Sequence, residues 1–297
     1  MTGKKQRILR TNVAAWSFLL PFLALYTLFI IYPVFKAGYM SAFKWNLMGK
    51  RGFEGLSNYQ KLLGDKYFWG ALLNTGKFML YSTPTIMLSS LTLALLANRH
   101  TRFTRFYRSA YFLPHLLSVS IVASITRYMA QPYGQGFIST MLHTLGIKTE
   151  LFFLTDPHLV WVTLVVATMW WTQGYNFLIY TAALQDIPEV LYEAASIDGA
   201  SGSQQLFHIT LPLLSKTTVM ILMLQMIASA KLFGQVWMIT EGGPGWDTRT
   251  IVMYIYQTAF TKNNMGYACA MSIVFFLLLM ILTQIQRKAT AKAEEVC

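Results

Sequence analysis

Residues 266–286 read GYACAMSIVFFLLLMILTQIQ, an apolar run followed at once by Arg287 and Lys288. At about 1.5 Å per helical residue, such a run crosses the roughly 30 Å hydrocarbon core of a bilayer. Five more stretches of this kind lie upstream, near 13–35, 71–97, 109–130, 158–183 and 215–239. They predict an all-α membrane protein with six transmembrane helices. The composition agrees: of 297 residues 55% are hydrophobic and only 12% charged, with mean hydropathy +0.43, whereas soluble domains carry about a quarter charged residues. Pro21, Pro84 and Pro114 fall inside these runs, which membrane helices tolerate because neighbours satisfy the freed carbonyls.

The net charge of +12 is compatible with nucleic-acid binding, but the basic residues are placed differently. Lys4, Lys5, Arg7 and Arg10 precede the first run, Arg99, Arg102, Arg105 and Arg108 fill the short loop 98–108, and Arg287, Lys288 and Lys292 follow the last run. Short basic segments mark the cytoplasmic side. With six spans, residues 1–12 and 287–297 become cytoplasmic tails around a membrane domain at 13–286. The long outer loop 36–70 is also basic, but it carries Glu54 and Asp65 as well. The first run is too long for a secretory signal and has no small-residue cleavage site after Tyr32-Pro33, so it reads as an anchor. Cys269 and Cys297 form no metal or disulfide pattern, and His100, His115, His143, His158 and His208 show no ligand spacing.

Two outer segments read as helices on or dipping into the membrane. Ser57-Asn58-Tyr59-Gln60 has capping-box spacing ahead of Leu62 and Leu63. Ile251–Phe260 is apolar but too short to span, and Gly242-Gly243-Pro244-Gly245 supplies a turn before it.

Between the fourth and fifth runs lies the longest cytoplasmic segment, 184–214. It reads as a helix, a glycine turn and a second helix. Asp186 and Glu189 have capping-box spacing with Pro188 in the first turn, and Val190, Ala194 and Ile197 share one face. Gly199 stands where a left-handed residue closes a helix, and Ser201 with Gln204 opens the next. Asp186, Glu189, Glu193 and Asp198 are acidic, and no Lys or Arg appears before Lys216. A bare cytoplasmic loop would be basic, so this one reads as a surface for a protein partner. The competing reading is a hairpin that merely joins two spans.

Within this loop, Glu193-Ala194-Ala195, then Gly199, then Ile209-Thr210-Leu211-Pro212 match the pattern E-A-A, three residues, G, nine residues, I-x-L-P. That pattern resembles the EAA signature of binding-protein-dependent ABC importer permeases. Trp45-Asn46-Leu47, Phe53 to Tyr59, Phe68-Trp69, Leu73-Asn74-Thr75, Phe112-Leu113-Pro114 and the Gly242–Gly245 turn resemble the carbohydrate branch, of the maltose-F type. The resemblance implies a bacterial inner-membrane permease, with no catalysis of its own, that translocates a carbohydrate delivered by an extracytoplasmic binding protein. It also implies a second permease as heterodimer partner and two ATPase subunits, which would bind the ATP and Mg, since this chain holds no cofactor. Coupling helices would dock on the ATPase through Glu193, Ala194, Ala195, Asp198, Gly199, Ile209, Leu211 and Pro212.

Polar residues inside apolar runs are candidates for the solute path. Gln173, Asn176 and Tyr180 share a helix face, Gln225 falls near mid-bilayer with Ser229 one turn on, and Trp170, Trp171 and Tyr175 are aromatic platforms nearby. Interhelical hydrogen bonding is the bland alternative for each. Lys77 and Lys231 are read as snorkelling to the outer interface, with contact to a substrate or partner as the lesser alternative. No phosphate-loop motif G-x-x-x-x-G-K-[ST] occurs, and neither H-E-x-x-H nor G-x-S-x-G is present. The main alternative, an ion-coupled secondary transporter of small polar solutes, calls for intramembrane carboxylates, and none of the twelve acidic residues lies well inside a run.

Overall fold

The computed structural model describes residues 16–97, 104–147 and 150–294. The tail with Lys4, Lys5, Arg7 and Arg10, the loop residues Arg99 and Arg102, and the side chains of Arg105 and Lys292 lie outside the described residues. The chain forms two compact units, one up to Asp65 together with Ile255–Leu277, the other Lys66–Tyr254 together with Leu278 onward.

In the first unit, helix α1 (Trp16–Ser41) exposes large apolar side chains along nearly its whole length, as a helix facing lipid should. A π turn at Thr27–Ile31 precedes Pro33. It takes up the hydrogen-bond mismatch that proline imposes on the preceding turn. Strands β1 (Phe43–Asn46) and β2 (Gly49–Phe53) then pair antiparallel. The sequence reading contained no strand here. The overlooked signal is a turn-forming Asn46 and a Gly49 at φ +116°, flanked by Phe43, Trp45 and Phe53.

Helix α2 (Ser57–Leu63) does form, but Ser57 is not its cap. The helix opens at Leu56 with no side-chain cap. Asn58 Nδ2 instead donates to the Ser41 carbonyl at 2.8 Å, and the Tyr59 and Ser41 hydroxyls pair at 2.7 Å. These polar groups tie α2 to the end of α1 rather than to its own first turn.

The second unit begins with α3 (Lys66–Ala97), then α4 (Thr104–Phe112), α5 (Val119–Met129), α6 (Phe137–Thr144) and α7 (Leu159–Gln185). It continues with α8 (Glu189–Ile197), α9 (Gly202–Leu213), α10 (Ser215–Ala230) and α11 (Gly234–Ile239). Helices α12 (Ile251–Tyr256) and α13 (Met265–Glu294) run across the boundary between the units.

Helix α3 packs along α7 and α10. Hydroxyls mark those seams: Ser90 Oγ donates to the Gln173 carbonyl at 3.1 Å, and the Ser82 and Ser229 hydroxyls lie 3.0 Å apart. Small residues there let helix backbones approach in lipid, where no hydrophobic force draws helices together. Helix α7 also comes close to α4 at Gly174. A Cβ there would lie 2.5 Å from the Tyr111 carbonyl and 3.0 Å from Phe112 Cα.

Three helices, α1, α3 and Met265–Lys288 of α13, are long and apolar enough to span a membrane. Two bent pairs, the Phe106–Leu116 segment with α5 and α9 with α10, raise the candidates to five. The protein is an all-α, multi-pass membrane protein apart from one β-hairpin among the described residues. The run 109–130 is not one straight helix: it turns by 96° after Leu116, where Pro114 weakens one helix and Ser118 caps the next. The run 215–239 is likewise two helices, α10 ending at Ala230 and α11 resuming at Gly234. Helix α7 has the length to span, but Gln173, Tyr175 and Asn176 lower its hydropathy, and half-polar helices stay stable only against neighbouring helices.

Candidate functional site

The segment 184–214 is a helical hairpin. Asp186 ends α7 as its C-cap, Ile187 is buried, and extended Pro188 is the N-cap of α8. The anticipated Asp186–Glu189 capping box therefore does not form, because Asp186 still belongs to the preceding helix. Gly199 takes φ +79°. Around it Ala200 N–H donates to the Ala195 carbonyl at 2.8 Å and Gly199 N–H to the Ser196 carbonyl at 3.2 Å. This is the reciprocal pair of bonds of a Schellman closure.

Ser201 and Gln204 form the reciprocal capping box that opens α9. Two bonds fasten the helices to each other, Tyr192 OH with Thr210 Oγ1 at 2.9 Å and Gln205 Nε2 to Ser196 Oγ at 2.9 Å. A π turn at Leu206–Thr210 again precedes a proline, Pro212. Ile187, Leu214 and partly buried Tyr192 root the hairpin in a core with Ala94, Phe177 and Ile221.

The outward side of the hairpin is apolar and acidic. Val190 is 69% and Ile197 86% exposed. Glu193, Ala194, Asp198 and Pro212 are exposed as well, while Ala195, Ile209 and Leu211 are half-buried. The anchoring is internal, and Glu193 and Ala194 face out.

In the same unit lies a cavity of ≈ 520 Å³, lined from α3, α5, α7, α10 and α11 and by His115. Three of the six residues proposed from sequence for the path, Asn176, Gln225 and Ser229, line it. They are also linked: Asn176 Nδ2 donates to Gln225 Oε1 at 2.9 Å, and Gln225 Nε2 donates to Ser229 Oγ at 3.2 Å. Through Ser82 the chain of bonds reaches α3, so one ladder joins three helices. Gln225 is only 6% exposed. The group thus serves interhelical bonding and cavity lining at once.

The other three residues are placed elsewhere. Trp170 and Gln173 line a separate apolar groove of ≈ 410 Å³ beside α5 and α6. Tyr180 is buried in the core that holds the hairpin. Their helical spacing was right, but α7 is covered on more than one side. Trp171 and Tyr175 do line the polar cavity; Trp171 is fixed by its indole N–H donating to the Leu117 carbonyl at 3.0 Å, and Tyr175 stacks on His115 at 5.8 Å. Gln235, which no sequence signal singled out, and Lys231, for which substrate contact was the lesser alternative, also line it. Lys231, expected to snorkel away, sits in the break between α10 and α11, which no hydropathy profile reveals.

On the loop before α12, the Arg249 guanidinium lies 4.0 Å over Trp246 and 4.6 Å over Tyr254. Asn74 Nδ2 donates to the Trp246 carbonyl at 3.0 Å. The Gly242–Gly245 turn is thus part of a folded platform. Ahead of α7, Asp156 Oδ1 accepts from the backbone N–H groups of Leu159 and His158, and these bonds hold its carboxyl below the usual range. No cluster of His, Cys, Asp or Glu fit to hold a metal occurs among the described residues.

A cavity with a mostly apolar wall and a few polar side chains, in the same unit as an outward-facing helical hairpin, fits a membrane permease. Residues 66–293 match the family described as binding-protein-dependent transport system inner membrane component. The chain is 33% identical to the sulfoquinovosyl glycerol transport system permease protein SmoG of Agrobacterium fabrum, over 90% of this chain and 87% of that one. It is 31% identical to the probable starch degradation products transport system permease protein AmyD of Thermoanaerobacterium thermosulfurigenes, over 98% and 99%. A bacterial ABC transporter involved in import of the acidic polysaccharide alginate shares the fold, with TM-score 0.86, 22% identity and 97% and 99% coverage. This chain therefore belongs to the ABC-importer permease family, in its carbohydrate-transport branch, and is a multi-pass inner-membrane transport subunit, not an enzyme. Importers of this kind combine permease, ATPase and substrate-binding protein.

Proposed function

We propose that this chain is one of two different permease subunits that together translocate a carbohydrate handed over by an extracytoplasmic binding protein, driven by two ATPase subunits docked below. The substrate class follows what the relatives are named for, a sulfoquinovosyl glycerol and starch degradation products. In this reading α7 is the sixth span, beside the five candidates, and both chain ends face the cytoplasm. Asn176, Gln225 and Ser229 line the path, with Trp171 and Tyr175 as aromatic platforms.

The observation that carries the reading is the hairpin: fastened internally and rooted in the bundle, yet exposing Val190, Glu193, Ala194, Ile197 and Asp198. Small and apolar outward residues let a helix seat in a partner's cleft, and a fastened hairpin passes the partner's closure on as a rigid-body movement. Glu193, Ala194, Ala195 and Asp198 contact the ATPase, Gly199 makes the turn, and Ile209, Leu211 and Pro212 lead into α10.

Gly199→Val tests it. A Cβ at Gly199 meets nothing within 4 Å, so the substitution acts only through φ +79°, at a cost of roughly 1–2 kcal/mol. ATP-driven uptake and co-purification of the ATPase should both fall, while Gly199→Asn, which tolerates that region, retains them. Normal uptake and ATPase association in Gly199→Val would refute the assignment.

A further inference from the structure

We infer that the cargo of the cavity carries an anionic group, and that Lys231 is the specificity-determining residue that receives it; this rests on the transport reading above. Lys231 is the only lysine, arginine, aspartate or glutamate lining the cavity, so among the described residues no carboxylate faces into that space. Its side chain is exposed and has no ion pair with any described residue. The lysine is the C-cap of α10, its backbone N–H donating to the Ala228 and Ile227 carbonyls. Helix α10 therefore stops there, and the side chain leaves from a helix end next to the opening between α10 and α11. Helix α10 is 16 residues long, so this point lies roughly 24 Å along the helix from its start at Ser215.

Some polar groups of the cavity are engaged with one another, while Tyr175, Gln235 and His115, whose Nδ1 is buried without a hydrogen-bond partner, line it outside that set. Asn176, Gln225, Ser229 and Ser82 use one another as donors and acceptors along a single ladder. Beside them, the ammonium of Lys231, with its three donors, is the one Lys, Arg, Asp or Glu charge on the wall among the described residues. Aromatic faces at Trp171, Tyr175 and Phe233 border the same space. A neutral sugar could use the aromatic faces, but by covering the ammonium it would remove some of its hydration without neutralising it, which is unfavourable. A sugar bearing a carboxylate, sulfonate or phosphate uses both features: its ring stacks on the aromatic side chains, and its anion makes a charge-assisted hydrogen bond with the ammonium. The C-terminus of α10 also favours a cation at this position, but that preference does not require a cavity free of carboxylates.

The test is ligand-observed NMR on the purified, assembled importer without its binding protein, so that only the membrane site is read. Methyl glucoside is compared with methyl glucuronide, glucose 6-sulfate and glucose 6-phosphate, which separate the three anion types. The wild type should bind at least one anionic sugar about tenfold or more tighter than methyl glucoside, the effect of one well-formed charge-assisted contact. Lys231→Gln should abolish that preference without weakening methyl glucoside binding, and Lys231→Arg should restore it. Equal affinity for all four probes in the wild type, or an unchanged preference in Lys231→Gln, overturns the inference. So does equal loss of every probe in Lys231→Gln, which would make the lysine structural. ATP-driven uptake in proteoliposomes with the binding protein is scored separately. Uptake without anion preference defeats this inference alone, whereas a wild-type complex that neither associates with an ATPase nor takes up sugar defeats the transport reading with it.

Discussion

A one-atom test is available at Gly174, where α7 meets the end of α4. A methyl group at this position would lie 2.5 Å from the Tyr111 carbonyl oxygen, 3.0 Å from Phe112 Cα and 3.3 Å from Tyr111 C, where ordinary contact begins at 3.4 Å. All three neighbours are backbone atoms, so no side chain can swing aside. Gly174→Ala must push α4 away by close to an ångström, and α4 leads directly into the turn that carries His115 and Leu117. The indole of Trp171, one turn from Gly174, donates to the Leu117 carbonyl at 3.0 Å; this bond stretches when the turn moves. Overpacking of this kind costs about 1–3 kcal/mol. Better helix propensity of alanine offsets at most about 1 kcal/mol.

The control is Gly76→Ala on α3, where a Cβ meets nothing within 4 Å. It should be neutral or slightly stabilising. Thermal unfolding of the detergent-purified chain, followed by tryptophan fluorescence, should show Gly174→Ala lower by roughly 2–8 °C and Gly76→Ala unchanged or higher. If the two variants unfold at the same temperature as the wild type, the close approach of α4 to α7 does not limit stability and the packing argument fails.

Asn176→Leu or Gln225→Leu alone should destabilise the chain, because each leaves a buried amide without its partner, while the double variant recovers part of the loss. A double-mutant cycle on thermal stability should give a coupling of about 0.5–2 kcal/mol, and additive losses would show that the 2.9 Å bond contributes nothing. Asp156 is a group whose carboxyl is held low in the fold by the backbone donors Leu159 and His158. It therefore supports the start of α7 above about pH 4, the ordinary aspartate value, and withdraws that support as pH falls through its lowered folded value. Amide exchange at residues 158–161 should accelerate with acid over that window in the wild type and lack the dependence in Asp156→Asn; identical pH profiles would count against the cap.

Much of this architecture was legible in the chain. The apolar runs establish membrane residence because a bilayer accepts only segments whose backbone bonds are internal, and this requirement is local. Gly199 and the Ser201–Gln204 pair are also local devices, satisfied within a few residues, so their spacing alone foretold the turn and the second cap of the hairpin. The EAA pattern with its carbohydrate-branch companions led to the family for a different reason, as a signature carried along the sequence.

Tertiary structure decided the rest. Ser57 and Asp186 had the right spacing for caps, but Asn58 and Tyr59 bond back to Ser41, and Asp186 closes the preceding helix. Hydropathy also ran unbroken through 109–130 and 215–239, since a bend changes direction without changing composition. The break at Lys231–Phe233 turned a lysine read as snorkelling into part of a cavity wall. On α7, periodicity grouped Gln173, Asn176 and Tyr180 correctly on one arc. Only the positions of α3, α5 and α10 could divide that arc between an apolar groove, a polar cavity and a sealed core. Sequence fixes which side chains share a face of a helix; what that face meets depends on helices brought together from elsewhere in the chain, and their close approach at residues such as Gly174 is visible only in three dimensions.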